Sequence, residues 1–151
     1  MKTLVVGYGN PTRGDDGVGV CVAEALEKEG LADVEVRSYQ QLHVDLVSEF
    51  SNYELIILVD ASEDGPEVEL RKIQASLHGH MASSHHLDPA LLLRLSQITR
   101  LGEPELYLCA VRGENFGFGE QLSTSTVDRV RLAVEEVKFL IERRRVAYAR
   151  S

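Results

Sequence analysis

A glycine turn between an apolar run and two adjacent acids is the feature that most constrains the fold of this chain. The run Leu4-Val5-Val6 enters Gly7-Tyr8-Gly9-Asn10, and Asp15-Asp16-Gly17-Val18-Gly19 follows. This order predicts a buried strand, a tight turn and two carboxylates at the start of a helix. In an open α/β sheet, that position lies at the carboxyl ends of the strands, where ligands usually bind.

The rest of the chain alternates short β-rich runs with longer helical patterns, which predicts an α/β fold with a mostly parallel sheet of about five strands covered on both faces. Its 151 residues, 44% of them hydrophobic, suit a single domain over residues 1–151. The apolar run Ile56–Val59 indicates a central strand, and the charged run Val68–Ile73 an edge strand. Strands are predicted at Lys2–Gly7, Val34–Tyr39, Glu54–Asp60, Val68–Ile73 and Glu105–Val111, and helices at Val18–Glu29, at Val44–Phe50, from Asp88-Pro89 to Gly102, and from Ser123 or Ser125 to a tail that frays from Val146.

Composition excludes several classes of partner. The formal net charge of −8 and the pI of about 5.1 oppose binding to nucleic acid or to anionic lipid. No apolar stretch approaches the roughly 20 residues that cross a bilayer, and the chain shows no export signal, so we expect a cytoplasmic protein with no membrane contact. Cys21 and Cys109 lack C-x-x-C spacing, as expected of buried thiols in a reduced compartment.

Three acids are candidates for chemistry at the carboxyl edge of the sheet. Either Asp15 or Asp16 can cap the helix that follows, which leaves the other carboxylate free to face the crevice. Asp60 ends the apolar run of the predicted central strand, and carboxylates at such strand ends point into the same crevice. We therefore expect two carboxylates to meet there.

Histidines are concentrated between the predicted edge strand and the helix that begins at Asp88-Pro89. Two carboxylates and one imidazole with open positions would suit nickel or zinc, whereas magnesium would not need the histidine. Because no G-x-S-x-G elbow is present, metal-assisted hydrolysis fits the side chains better than nucleophilic catalysis. The candidates are His78, His80, His85 and His86, with His43 standing apart.

The pair Gly7 and Gly9 after a strand also invites a nucleotide-binding reading. The match to that fingerprint is incomplete, because Thr12 stands where the third glycine would be and no acid ends the second predicted strand. Two acids at the helix mouth would also repel a phosphate. Nucleotide binding is therefore the weaker alternative.

Five motifs follow one another along nearly the whole chain. They are Gly7-Tyr8-Gly9-Asn10, Asp15-Asp16-Gly17-Val18-Gly19, Asp60-Ala61, Ser84-His85-His86-Leu87 and Phe116-Gly117 followed by Leu122-Ser123. Taken together, these ordered motifs resemble the [NiFe]-hydrogenase maturation endopeptidases. The resemblance implies a three-layer α/β/α sandwich and an enzyme that removes the C-terminal extension of a hydrogenase large-subunit precursor after nickel insertion. It also implies no permanently bound cofactor, since the nickel comes with the substrate.

Carried over by position, the resemblance assigns Asp16, Asp60 and His85 as the residues that contact nickel and take part in cleavage, with His86 as the alternative to His85. The partner it implies is the large-subunit precursor, on which a monomer could act. The loop Glu114–Ser123, with Phe116 and Phe118, could line the groove for the extension or could simply connect a strand to a helix. A non-catalytic nickel-binding chaperone that uses the same ligands is the competing function.

Overall fold

The computed structural model describes residues 1–76 and 87–151, and within them five strands form one mostly parallel sheet. The strand order is β2-β1-β3-β5-β4, in which only β4 runs antiparallel to its neighbour. The predicted central strand is β3, and the predicted edge strand is β4, so both assignments are confirmed. The strands are β1 (Thr3–Tyr8), β2 (Val34–Tyr39), β3 (Leu55–Ser62), β4 (Val68–Lys72) and β5 (Glu105–Arg112).

Helices cover both faces of this sheet, which confirms the predicted α/β/α layering. One face packs against α1 and α3, and the other against α2 and a 3₁₀ segment at Val44–Asn52. The α-helix predicted at Val44–Phe50 is wrong in type. The 3₁₀ segment found there is longer than the predicted helix and more tightly wound than an α-helix. The α-helices are α1 (Val18–Glu29), α2 (Pro89–Ile98) and α3 (Thr124–Ala149).

Local chemistry explains where the helices begin and end. Gly30 ends α1 in the left-handed conformation at φ 59°, and the Asp88 side chain caps α2 by accepting a hydrogen bond from the Ala90 backbone N–H at 2.8 Å. The last helix, α3, extends past Val146 to Ala149. No helix in the described ranges has both the length and the apolar character needed to cross a membrane.

The start of α1 packs unusually close to the sheet. A Cβ atom on Gly7 would lie 2.2 Å from the Gly19 carbonyl oxygen, and one on Gly19 would lie 2.3 Å from the carbonyl oxygen of Val59. Contacts this short require glycine on both sides, so these residues let the helix start approach the carboxyl ends of β1 and β3. The acids before α1 are thereby brought to the end of the central strand.

Candidate active site

Tyr8 and Asp60 lie side by side at the carboxyl ends of β1 and β3. Gly7 pairs with Val59 in the parallel register, and each candidate residue follows directly. Burial raises the pKa of Asp60 to about 7, with a further increase from the charge of Asp16, while hydrogen bonds from the Ala61 backbone N–H and the Tyr8 hydroxyl oppose the rise. The Asp60 carboxyl therefore exchanges a proton near neutral pH.

Asp16 provides the second carboxylate of this edge. It lies in a 3₁₀ turn at Gly14–Gly17, and its Oδ2 atom accepts a hydrogen bond from the Asn10 backbone N–H at 2.8 Å. Oδ1 has no hydrogen-bond partner among the residues that the structure describes. Because its charge raises the pKa of Asp60, the two acids are close enough to repel each other. Asp16 and Asp60 are therefore two acids whose charges interact at this edge.

Asp15 has a structural role instead. The side chain is fully buried, and its carboxylate accepts hydrogen bonds from the backbone N–H groups of Glu114, Asn115 and Ser123 and from the Ser123 hydroxyl, at 2.7 to 3.0 Å. Burial alone would raise the pKa of Asp15, but these four bonds outweigh it and lower the pKa to about 2. Asp15 thus ties the helix start to a loop about a hundred residues away.

That loop, 113–123, joins β5 to α3 and lies beside the turn that carries Asp16. Its first part is held by the buried Arg129, which donates to the Arg112 carbonyl at 2.8 Å and pairs with Glu114 at 2.8 Å. Phe116 is half-buried, with its ring close to the Gly113 backbone, whereas Phe118 is 95% exposed. The two aromatic residues proposed to line one groove therefore have different environments.

A cleft of about 350 Å³ opens next to Asp60. Its floor is formed by residues of β3, β5 and β4, and one wall is the turn that precedes β4. The cleft thus extends from Asp60 across β5 and β4. Residues that line it include Ser62, Pro66, Glu69, Arg71, Leu108 and Ala110.

Most of the candidate histidines lie outside the described residues. These are His78, His80, His85 and His86, so the assignment of His85, with His86 as its alternative, stays a prediction. His43 is described, and it lines a separate recess with Tyr39 and Glu49. Within residues 1–76 and 87–151, no three His, Cys, Asp or Glu side chains are grouped as metal ligands.

Comparison with solved structures identifies proteins of the same fold. The hydrogenase maturating endopeptidase HybD from E. coli matches with a TM-score of 0.77 at 22% identity, over 95% of this chain and 93% of that one. The [NiFe] hydrogenase maturation protease HycI from Thermococcus kodakarensis matches with a TM-score of 0.71 at 25% identity, over 92% of each chain. This chain has the fold of the hydrogenase maturation proteases. The resemblance inferred from the motifs is thereby confirmed.

A hydrogenase 2 maturation peptidase from a Thaumarchaeota archaeon has the same fold, with a TM-score of 0.70 at 20% identity over 94% of this chain and 99% of that one. No family model and no curated protein matches the chain. Since the match covers both chains almost completely, the maturation-protease fold accounts for all layers of the molecule and not for one motif alone.

On this maturation-protease fold, the site includes one residue that the sequence pattern does not single out. Tyr8 belongs to the glycine-turn motif, and its largely buried hydroxyl contacts the Asp60 carboxyl. Of the two acids before α1, the resemblance favours Asp16, and the hydrogen bonds from Ser123 give Asp15 a structural role. A signal for Tyr8 was available: it ends a strand that runs beside the strand carrying Asp60.

Protein atoms fill the space next to the glycines of the turn. A Cβ on Gly9 would lie 2.0 Å from the Asp16 carbonyl oxygen, and Gly7 faces the Gly19 carbonyl in the same way. Their role is close packing of the helix start against the turn. These contacts therefore give no support to the nucleotide-binding alternative.

Proposed function

We propose that the protein is an endopeptidase that removes the C-terminal extension of a [NiFe]-hydrogenase large-subunit precursor after nickel insertion. The observation that carries this proposal is the convergence of Asp16 and Asp60 at the carboxyl edge of the sheet. The named function of the structural relatives supports the same reading. In this proposal the nickel is part of the substrate, and the protein recognises it without a resident metal.

The acid pair suits recognition of a cation carried by another protein. One oxygen of each carboxylate accepts a hydrogen bond of 2.8 Å from a backbone N–H, which belongs to Asn10 for Asp16 and to Ala61 for Asp60. These bonds fix the orientation of the two groups while their charges repel each other. A divalent cation between them would relieve that repulsion, so a precursor that already carries nickel is favoured over one that does not.

His85 is proposed as the nitrogen ligand that completes the set. The start of α2 supports this assignment, because the charge of Asp88 contributes to the raised pKa of the Tyr8 hydroxyl, which contacts Asp60. The three residues from His85 to Asp88 span at most about 10 Å of chain. The length of chain between His85 and Asp88 is therefore compatible with this assignment.

Peptide hydrolysis adds water across the scissile bond: the water oxygen bonds to the carbonyl carbon, and the amide nitrogen leaves with a proton. Asp60 is suited to move that proton, since a carboxyl with a pKa of about 7 can accept it from water and return it to the leaving amine. The cleft beside Asp60 offers room for the residues that flank the cut. Proximity then contributes much of the acceleration.

The test is cleavage of a purified precursor, with and without nickel, followed by mass spectrometry. We expect a mass loss equal to the C-terminal peptide only with the nickel-loaded precursor. Asp16→Asn should abolish the loss, while Asp33→Asn, at the opposite end of the sheet with φ 57°, should leave it unchanged because asparagine tolerates that conformation.

The other outcomes separate the competing functions. Stable association with the nickel-loaded precursor without any cleavage would identify a chaperone. Thermal stabilisation by a nucleotide, with no association, would favour the nucleotide-binding alternative. Full cleavage by a correctly folded Asp16→Asn variant would remove the proposed role of that residue.

A further inference from the structure

We propose that Phe118 and Arg13 form a docking element that binds the folded body of the precursor beside the active site. The inference rests on the proposed function and adds a second contact with the substrate, separate from the peptide cleft. The surface of the precursor that these two residues would fit is an apolar recess with a carboxylate at its rim. Together, the two residues are called the Phe118–Arg13 element.

The exposure of Phe118 is the first observation. Its side chain is 95% exposed, whereas Phe50 is fully buried and Phe116 half-buried. An aromatic side chain in water forgoes the free energy that burial would contribute. The guanidinium of Arg13 lies 5.9 Å from the ring centroid, so the element presents an apolar surface joined to a positive charge.

The second observation is that the backbone on either side of this exposed ring is firmly held. Gly119 donates to the Thr12 carbonyl at 2.9 Å and accepts from the Gly14 backbone N–H at 2.8 Å, and the Gly117 backbone N–H donates to the Asn115 side chain at 2.9 Å. The bonds to Asp15 and Arg129 hold the loop ends. A side chain presented on an ordered backbone loses little entropy on binding.

Position links the element to catalysis. Arg13 directly precedes the 3₁₀ turn that carries Asp16, and the bridge between Arg13 and Gly119 holds Phe118 beside that turn. The cleft next to Asp60 is lined from β3, β4, β5 and the turn before β4, and its lining does not include loop 113–123. A peptide in the cleft would therefore leave the element uncovered, and a body larger than the peptide is needed to reach it.

Charge selects the kind of surface that fits. The chain carries a net charge of −8 and would repel an acidic partner over most of its surface. Arg13 is a local exception, since no carboxylate in the described ranges forms an ion pair with it. A carboxylate at the rim of the partner's recess would pair with Arg13 while Phe118 fills the recess, an arrangement typical of binding hot spots.

The experiment compares two exposed phenylalanines of similar local chemistry. Phe139 on α3 is 67% exposed, and the guanidinium of Arg143 lies 5.8 Å from its ring centroid. It is about 22 Å along the helix from Thr124, the first residue of α3. Cleavage of the nickel-loaded precursor is measured for the wild type, Phe118→Ala and Phe139→Ala. We expect Phe118→Ala to raise KM about tenfold with kcat nearly unchanged, and Phe139→Ala to match the wild type.

Charge and shape variants sharpen the result. Arg13→Glu should raise KM and Phe118→Tyr should restore most of the affinity, because the ring is kept. Equal KM values for the wild type and Phe118→Ala would overturn the docking role and leave the proposed function intact. Absence of cleavage by the wild type would instead contradict the proposed function, and this inference with it.

Discussion

Asp15 and Ser123, separated by 108 residues in the chain, are joined by two hydrogen bonds of 2.7 Å, one from the backbone N–H and one from the hydroxyl. The first residue precedes α1 and the second is the N-cap of α3. One buried carboxylate thus fixes the relative positions of two helix starts and the loop between β5 and α3. The neighbouring Asp16 is held in place by the same turn.

Asp15→Asn should destabilise the protein by roughly 2–4 kcal/mol at pH 7, because an amide cannot accept all four hydrogen bonds and turns a donor toward other donors. The lowered pKa means that the contribution of Asp15 is complete above about pH 4 and is lost as the pH falls toward 2. Urea denaturation measures the change. Asp128→Asn, an exposed acid on α3, is the control and should shift the midpoint little. Equal stability of the two variants would refute the role given to Asp15.

The stability of Asp60→Asn relative to the wild type should increase as the pH rises from acid to neutral and higher values. The pKa of Asp60 is about 7 in the folded protein, against an ordinary value of 3.8, so the folded state binds this proton more tightly than the unfolded state. Wild-type stability therefore falls as the pH rises from about 4 to 7. The difference in unfolding free energy between variant and wild type should grow by on the order of 1–3 kcal/mol from pH 4 to pH 8.

The measurement for that prediction is thermal or urea unfolding at several pH values. Asp33→Asn is again the matched control, and its difference from the wild type should not follow the same pH dependence. If Asp60→Asn gave a difference independent of pH, the carboxyl would have an ordinary pKa. Its suitability as the proton-transfer group would then be lost.

Tyr8→Phe should move the acid limb of the pH profile of kcat/KM to higher pH. The Tyr8 hydroxyl donates a hydrogen bond that favours ionised Asp60, so its removal raises the pKa of that carboxyl further. We expect a shift on the order of half a unit to one unit, with activity lost several-fold at pH 6 and nearly retained at pH 8. A profile that stays in place would show that the hydroxyl does not act on Asp60.

Tyr107→Phe provides the comparison for this variant. Tyr107 pairs with Ile57 on β3, three residues before Asp60, which places it about 10 Å from the acid along the sheet. Removing its hydroxyl should leave the pH profile unchanged. The comparison distinguishes an effect on Asp60 from a general effect of deleting a tyrosine hydroxyl.

Local patterns were sufficient to predict most of this fold. The apolar run Ile56–Val59 marked the central strand because a strand buried on both faces needs no polar alternation, and Asp88-Pro89 marked a helix start because a cap and a proline suit the first turn. The α-helix predicted at Val44–Phe50 is wrong in type, because Val44–Asn52 is a 3₁₀ segment. Its apolar residues Leu46, Val47 and Phe50 have a spacing that fits either helical winding.

The candidate site was only partly accessible from the sequence. Asp60 could be placed near the carboxyl end of β3 because that position depends on local pattern alone. The division of roles between Asp15 and Asp16 depends on contacts with loop 113–123, and no local pattern encodes a contact across about a hundred residues. The same holds for Phe118, whose exposure follows from how the two chain segments pair at Arg13 and Gly119.

Gly19→Ala tests how closely the helix start must approach the sheet. A Cβ atom there would lie 2.3 Å from the Val59 carbonyl oxygen and 2.8 Å from that of Tyr8, so the helix would have to move away from the strand ends. Alanine favours helix by about 1 kcal/mol over glycine, but the backbone clash should outweigh this and reduce stability by roughly 2–3 kcal/mol. Because the acids precede this helix, cleavage should also fall.

Gly117→Ala is the matched control for that change. Gly117 lies in loop 113–123, where an added Cβ would meet only the Asn115 side-chain oxygen at 3.2 Å, a contact that a small side-chain movement relieves. Its unfolding midpoint in urea should stay close to that of the wild type, while the midpoint of Gly19→Ala falls. If Gly19→Ala were as stable and as active as the control, the close approach of α1 would not be what positions Asp16 beside Asp60.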